Sequence, residues 1–249
     1  FSRKSYFYPD LAKNYQISQF ERPLGIGGEV TLSSGKNIGI TRVHIEEDPA
    51  SLVHTGKGEN VLVDYNRSGI PLCEIVTEPD MTDPEEAREF MKRLRAIIEY
   101  LEIFDEFTGT IKADANLSIK ESGYVRSEIK NVTGFKEIER ALFYEVDRQK
   151  KAIEDGEALI MDTRQWNAER GTTTRMRTKE TEMDYGYILD PDLCVTNITK
   201  KWIEQEKKSL PELPDAKEKR FVKELGIDAG DASVIAQEKR LANLFEKTA

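Results

Sequence analysis

The sequence predicts an α+β protein: a mainly antiparallel sheet domain with flanking helices over residues 1–196, then a small all-α domain over residues 197–249. Three observations carry this expectation. Short β-patterned runs recur between turn signals, and two long segments show helical periodicity. After about residue 197 strand patterns stop, and lysines, glutamates and the prolines Pro211 and Pro214 take over.

The first 40 residues combine aromatics with glycines, with Tyr6, Phe7 and Tyr8 followed by LGIGGEV and SSGKNIGI, and predict short strands and turns. GIGG lacks dinucleotide-fingerprint spacing and precedes no helical pattern. Gly25, Gly27 and Gly28 are therefore expected as hairpin turn residues. VLVDY (61–65) and PLCEIV (71–76) are strand-like runs with Ser68-Gly69 as a turn signal between them.

A helix follows, with Asp83 suited to the N-cap, Pro84 to the first helical position and Glu86 to a capping box. Its residues Ala87, Phe90, Met91, Leu94, Ile97, Ile98 and Leu101 share one face. IKADANLSIK (111–120) alternates throughout, with Ile111, Ala113, Ala115, Leu117 and Ile119 against Lys112, Asp114, Asn116, Ser118 and Lys120. After Ser122-Gly123, YVRSEIKN predicts the return strand of a hairpin, with Arg126, Glu128 and Lys130 on one face. A second helix runs from Phe135 to a stop at Gly156, with Phe135, Ile138, Leu142, Val146, Gln149 and Ile153 near one face. ALIMDTRQW and TTTRMRTK predict a two-stranded ribbon, and residues 215–225 and 230–248 predict helices.

A net charge of -9 opposes indiscriminate nucleic-acid binding. Locally, however, Arg164, Arg170, Arg175, Arg177 and Lys179 face only Glu169 as a counter-charge. This ribbon is either a phosphate-contacting surface or an edge strand protected by charge. With 33% charged residues and no apolar run near the ~20 residues of a membrane span, no membrane association is expected. Cys73 and Cys194 make neither a disulfide framework nor a zinc set, and are expected free and buried in a reducing compartment.

The candidate chemistry lies in carboxylates at strand positions: Glu46 and Glu47, Glu74, Asp114 and Glu128. Several carboxylates on one sheet face suit a hard cation, since magnesium takes oxygen ligands and keeps part of its water shell for phosphates. Glu74 lies between apolar neighbours and needs a partner, either a metal or an arginine such as Arg67 or Arg126. His44 and His54 are ten residues apart, which is no helical zinc spacing, and both are expected to be structural. Phosphate-loop, nucleophile-elbow and Cys-x-x-Cys patterns are absent from the sequence.

VDYNRSGIPLCEIVTEPD (63–80) closely resembles the GatB family, the B subunits of tRNA-dependent amidotransferases. RKSYFYPDLAKNYQISQ, ITRVHIEED, DANLSI, EIKNVTGF, TRQW and TRMRTKE extend the resemblance along almost the whole chain. The resemblance implies a cradle-shaped, glutamine-synthetase-like antiparallel sheet domain. It implies ATP- and Mg2+-dependent phosphorylation of the Glu or Asp side chain on misacylated tRNA(Gln) or tRNA(Asn), then amidation with ammonia. The implied partners are the amidase subunit and the small third subunit of a GatCAB heterotrimer, in the cytoplasm.

By the same resemblance Glu47, Glu74, Asp114 and Glu128 are assigned to metal, and Lys4, Arg67 and Lys130 to phosphate or acyl-carboxylate contacts. Asn66, Asn116 and Asn131 are assigned to ATP, and Arg164, Arg175, Arg177 and Lys179 to tRNA. Three departures are expected to matter. The chain starts after the strand in which the family carries a Glu-Val-His motif, and it stops before the family's C-terminal tail. Gly186 and Ile188 stand where the family more often has arginine and phenylalanine. Two other functions use the same residues: a metal-dependent ligase for a small carboxylic acid, and a non-catalytic tRNA-binding or assembly subunit.

Overall fold

A computed structural model describes residues 1–19, 21–54, 60–104, 109–178 and 186–249, save the side chains of residues 54, 131, 177 and 178. It is an α+β structure in which antiparallel pairing predominates, with six α-helices among the described residues. The chain forms two compact units, Phe1–Asp80 with Glu180–Asn197 and Met81–Lys179 with Ile198–Ala249.

In the first unit, β1 (Ser2–Ser5) lies between β2 (Tyr15–Ser18) and β13 (Gly186–Leu189), antiparallel to both. Arg3 ties this sheet to the loop beyond β13, through Asp190 at 2.9 Å and Asp192 at 2.6 Å. The long strand β5 (Asn37–Glu47) pairs with β3 (Gly25–Ile26) and β4 (Glu29–Thr31) on one edge and β8 (Pro71–Thr77) on the other. Val30, Leu32, Ile38 and Ile40 are buried here. β6 (Ser51–His54) and β7 (Val61–Asp64) form a separate antiparallel pair.

The glycine expectation needs correcting. Gly27 and Gly28 do not turn a hairpin. They have φ of 73° and 112° and join β3 to β4 along the same partner strand, where Gly27 N–H donates to Thr41 O and Ile40 N–H donates to Gly28 O. The reversal falls at Ser33–Lys36, with Gly35 at φ 83° and Leu32 N–H donating to Lys36 O. The turn expected between β7 and β8 forms at Gly69, and the two strands pair with β6 and β5 rather than with each other. Its backbone bonds to the end of β5, with Gly69 N–H donating to Asp48 O and Asp48 N–H to Ile70 O. That contact sends β8 back along β5.

The second unit is built on a four-stranded sheet in the order β12-β11-β10-β9, formed by Thr172–Thr178, Asp162–Asn167, Ser127–Thr133 and Lys112–Leu117. The predicted ribbon of β11 and β12 and the predicted β9–β10 pairing are present, and β10 runs parallel to β11. Helices α1 (Pro84–Tyr100) and α2 (Phe135–Glu154) contribute to one core, in which Ala87, Ile138, Ala141 and Leu142 meet Ile129, Val132 and Trp166. Asp83 caps α1 by accepting from Glu85 N–H, while Glu86 accepts from Thr82 N–H, one residue before the expected capping-box partner.

The C-terminal residues form α3 (Lys200–Ser209), α4 (Pro214–Arg220), a π-type turn over Phe221–Leu225, α5 (Ala229–Gln237) and α6 (Lys239–Thr248). The single helix expected over 230–248 is two, because Glu238 adopts extended backbone between α5 and α6. Tyr100 at the end of α1 packs with Phe221, Ala232 and Ala242 and donates its hydroxyl to Ala236 O at 2.7 Å. Among the described residues no helix is long and apolar enough to cross a membrane.

Candidate functional site

In the first unit, alternation along β5 and its register with β8 put His44, Glu46 and Glu74 on one face, with His44 directly opposite Glu74. One ligand atom from each of the three lies within 4.8 Å of the others. His44 is 2% exposed, and its Nε2 is 3.2 Å from both Glu46 Oε1 and Glu74 Oε2. Hydrogen bonds to Glu46 and Glu74 outweigh burial and push the imidazole pKa up to about 9, so it is a cation at neutral pH. Burial pushes the Glu46 carboxyl up, but the His44 hydrogen bond, the charge of Lys4 and the Ser18 hydroxyl together hold it below its ordinary value. Ser18 Oγ donates to Glu46 at 2.8 Å.

This geometry changes the assignment of partners in the acid run. Glu46, not Glu47, joins Glu74, because alternate residues of a strand face the same way. Glu47 instead binds Lys13 Nζ at 2.6 and 2.7 Å and accepts from Ile17 N–H. Glu74 is about half exposed, and its partner is His44 rather than an arginine; Arg67 pairs with Asp48 at 2.6 Å. His44, expected to be structural, is buried against both carboxylates of this cluster. Asn66 begins the turn after β7, its N–H donating to Asp64. Cys73 and Cys194 are free as expected, but both are exposed rather than buried.

In the second unit the sheet has two chemically distinct faces. Ser127, Ile129, Asp162, Arg164 and Trp166 face α2, while Glu128, Lys130 and Thr163 take the opposite face with Asp114 and Asn116 of β9. Lys130 Nζ sits 2.9 Å from Asp114 and 3.4 Å from Glu128, which together hold its pKa above the ordinary value despite burial. Glu128 and Lys130 thus share a face as expected, while Arg126 lies just before β10.

On the helix side, Glu145 is fully buried and bound by Arg148 at 3.0 Å through Nε to both oxygens, by Thr173 at 3.0 Å and by Arg164 at 3.4 Å. Arg164 also pairs with Asp162 at 2.8 Å, and its side chain is only 11% exposed. It therefore belongs to this interior network, whereas Arg170 and Arg175 are exposed. Lys179 lies outside the described residues, as do the side chains of Asn131, Arg177 and His54.

The donor chemistry fits a divalent cation. His44, Glu46 and Glu74 offer an imidazole and two carboxylates, and Asp114 and Glu128 offer carboxylates already drawn together around a cationic lysine. His44 Nδ1 is buried with no hydrogen-bond partner among the described residues. A metal at Nε2 would displace the proton held there.

A family model described as the GatB/GatE catalytic domain matches residues 1–204. The chain belongs to that family. Among curated relatives, 99% of the chain aligns at 51% identity with the aspartyl/glutamyl-tRNA(Asn/Gln) amidotransferase B subunit of Sulfurisphaera tokodaii, covering 54% of that protein. The B subunit of the same name from Caldanaerobacter subterraneus subsp. tengcongensis matches 99% of the chain at 46% identity, with 54% of its own length covered. That of Brevibacillus brevis matches the whole chain at 44% identity, again over 54% of its length. The chain spans about half the length of these GatB relatives.

Proposed function

We propose that the chain is the catalytic portion of a tRNA-dependent amidotransferase subunit, which phosphorylates the side-chain carboxylate of Glu or Asp on misacylated tRNA(Gln) or tRNA(Asn). A side-chain oxygen attacks the γ-phosphorus of ATP and ADP leaves, giving an acyl phosphate. Ammonia from a partner amidase subunit then attacks the acyl carbon and inorganic phosphate leaves. The observation that carries this reading is the 44–51% identity to amidotransferase B subunits over essentially the whole chain.

Two anions must be brought together, so the site needs fixed positive charge. Lys4, Arg67 and Lys130 would orient phosphate and carboxylate oxygens, with Asn66, Asn116 and Asn131 as hydrogen-bonding contacts to ATP. Glu47, Glu74, Asp114 and Glu128 are assigned to Mg2+ by resemblance; the convergence of His44 and Glu46 on Glu74 supports including these two with Glu74. Mg2+ bound there would offset the charge of the phosphates. Arg175, Arg177 and Lys179 would track the tRNA backbone, with Arg164 bracing that ribbon from the interior. Residues 1–196 would form a cradle similar to glutamine synthetase, and residues 197–249 the start of a helical domain. The amidase subunit and the small third subunit would complete a cytoplasmic GatCAB heterotrimer.

The test is ATP-dependent acyl-phosphate formation on Glu-tRNA(Gln) and Asp-tRNA(Asn) by the full-length subunit with its partners, comparing wild type with Glu74→Gln, Glu128→Gln and Glu47→Gln. Loss in the Glu74 and Glu128 variants, with the partner's glutaminase activity and folding intact, is the expected result. Unchanged turnover in both would overturn the reading.

A further inference from the structure

We propose that Thr163 is the positioning residue for Glu128, an inference that rests on the role given to Glu128 above. Thr163 is only 1% exposed, yet it lies on the polar face of the sheet, beside Glu128 in the parallel register of β10 and β11. Its Oγ1 donates to Glu128 Oε2 at 3.3 Å, and the other oxygen, Oε1, is 3.4 Å from Lys130 Nζ. The carboxylate is thus held at both oxygens, one by a hydroxyl from the neighbouring strand and one by a lysine two residues along its own.

Two irregularities flank this contact. The β9–β10 ladder shifts register between Ile129 and Val132, and the β11–β12 ladder shifts between Thr163 and Arg164. Bulges re-aim side chains, and here both breaks adjoin the residues that hold Glu128. Threonine suits the task because its β-branched side chain has few χ1 choices, so the hydroxyl direction is set by the strand. A valine would fill the same volume without offering a hydroxyl to Glu128 Oε2.

The experiment uses the full-length subunit assembled with its partners and compares wild type with Thr163→Val, Thr163→Ser, Glu128→Gln and the Thr163→Val/Glu128→Gln double variant. Three quantities are measured: Mn2+ affinity by electron paramagnetic resonance without substrate, kcat and KM for ATP, and Tm. Thr163→Val is expected to weaken Mn2+ binding and lower kcat by about 10- to 100-fold, as for other residues that orient a ligand, with Tm unchanged. Thr163→Ser should restore most of the loss, and the double variant should be no worse than Glu128→Gln alone. Wild-type Mn2+ affinity and kcat in Thr163→Val, with Glu128→Gln impaired, would overturn the positioning role alone. A double variant weaker than Glu128→Gln would also overturn it, since Thr163 would then act elsewhere. Wild-type behaviour of Glu128→Gln would remove the role of Glu128 and the proposal with it.

Discussion

Gly39 lies in β5 without a positive φ, so its need for glycine comes from packing. A Cβ there would meet Glu78 Cγ at 2.9 Å and Asp80 Oδ2 at 3.2 Å, where Asp80 accepts from Gly39 N–H and Glu78 N–H donates to Gly39 O. Gly39→Ala is expected to cost about 1–3 kcal/mol in denaturant unfolding, because the clasp has to open to admit a methyl group. A second prediction concerns acid. The Arg3 hydrogen bond, with backbone N–H groups of Asp192 and Leu193, outweighs burial and holds the Asp190 carboxyl below its ordinary value. A carboxyl depressed in the folded state contributes stability above its unfolded pKa of about 3.9 and loses it as pH falls through the lower folded value. Unfolding measured from pH 6 to pH 2 should show this loss in wild type and its absence in Asp190→Asn. Residues of this kind differ in how legible they are. Asp114, Glu128 and Lys130 could be read from strand alternation, since period two fixes the face. The requirement at Gly39, the pairing of Asp190 with Arg3 across 187 positions and the inclusion of His44 depend on which strands become neighbours.

At the scale of elements, helices were more legible than strand partners. The boundaries of α1 follow from Asp83 and Pro84, which act locally, and its apolar stripe from 3.6-residue periodicity. In α2 the same periodicity gave Ile138, Leu142 and Gln149 correctly, but the buried face also takes in Ala141, Glu145 and Ala152. A glutamate at that position reads as solvent-facing until Arg148 and Arg164 are known to meet it. The partners of β7 and β8 were illegible for the same reason, since a turn signal says that the chain reverses and not which strand receives it. Glu145 carries the element-scale prediction. Glu145→Ala leaves two guanidinium groups and the Thr173 hydroxyl without their shared acceptor, and should destabilise the second unit by about 3–5 kcal/mol. Chemical denaturation followed by Trp166 fluorescence would measure it, and Glu145→Gln, which keeps an acceptor oxygen, should cost less.

Across the whole molecule, composition and the distribution of charge bear on the proposed contact with tRNA. A chain with a net charge of -9 repels a polyanion on average, so the proposed affinity for tRNA has to come from local basic surface and should depend steeply on salt. The composition made this contrast visible, but could not tell which arginines of the β11–β12 ribbon are available. Arg164 is committed to Glu145 and Asp162, while Arg170 and Arg175 are exposed. Each phosphate contact releases counterions, so the slope of log Kd against log salt counts contacts in a way that a single affinity does not. Arg175→Ala should therefore weaken tRNA binding across sequences and reduce the magnitude of the salt slope by about 1. Arg164→Ala acts differently: it should lower stability by leaving Glu145 and Asp162 short of a partner, and any loss of binding should follow unfolding rather than the slope. Filter binding of tRNA between about 50 and 300 mM salt, with stability measured in parallel on both variants, separates the two. An unchanged slope in Arg175→Ala would mean that the exposed edge of the ribbon serves to keep other strands from pairing with it, and that the basic surface holding tRNA lies elsewhere in the full-length subunit.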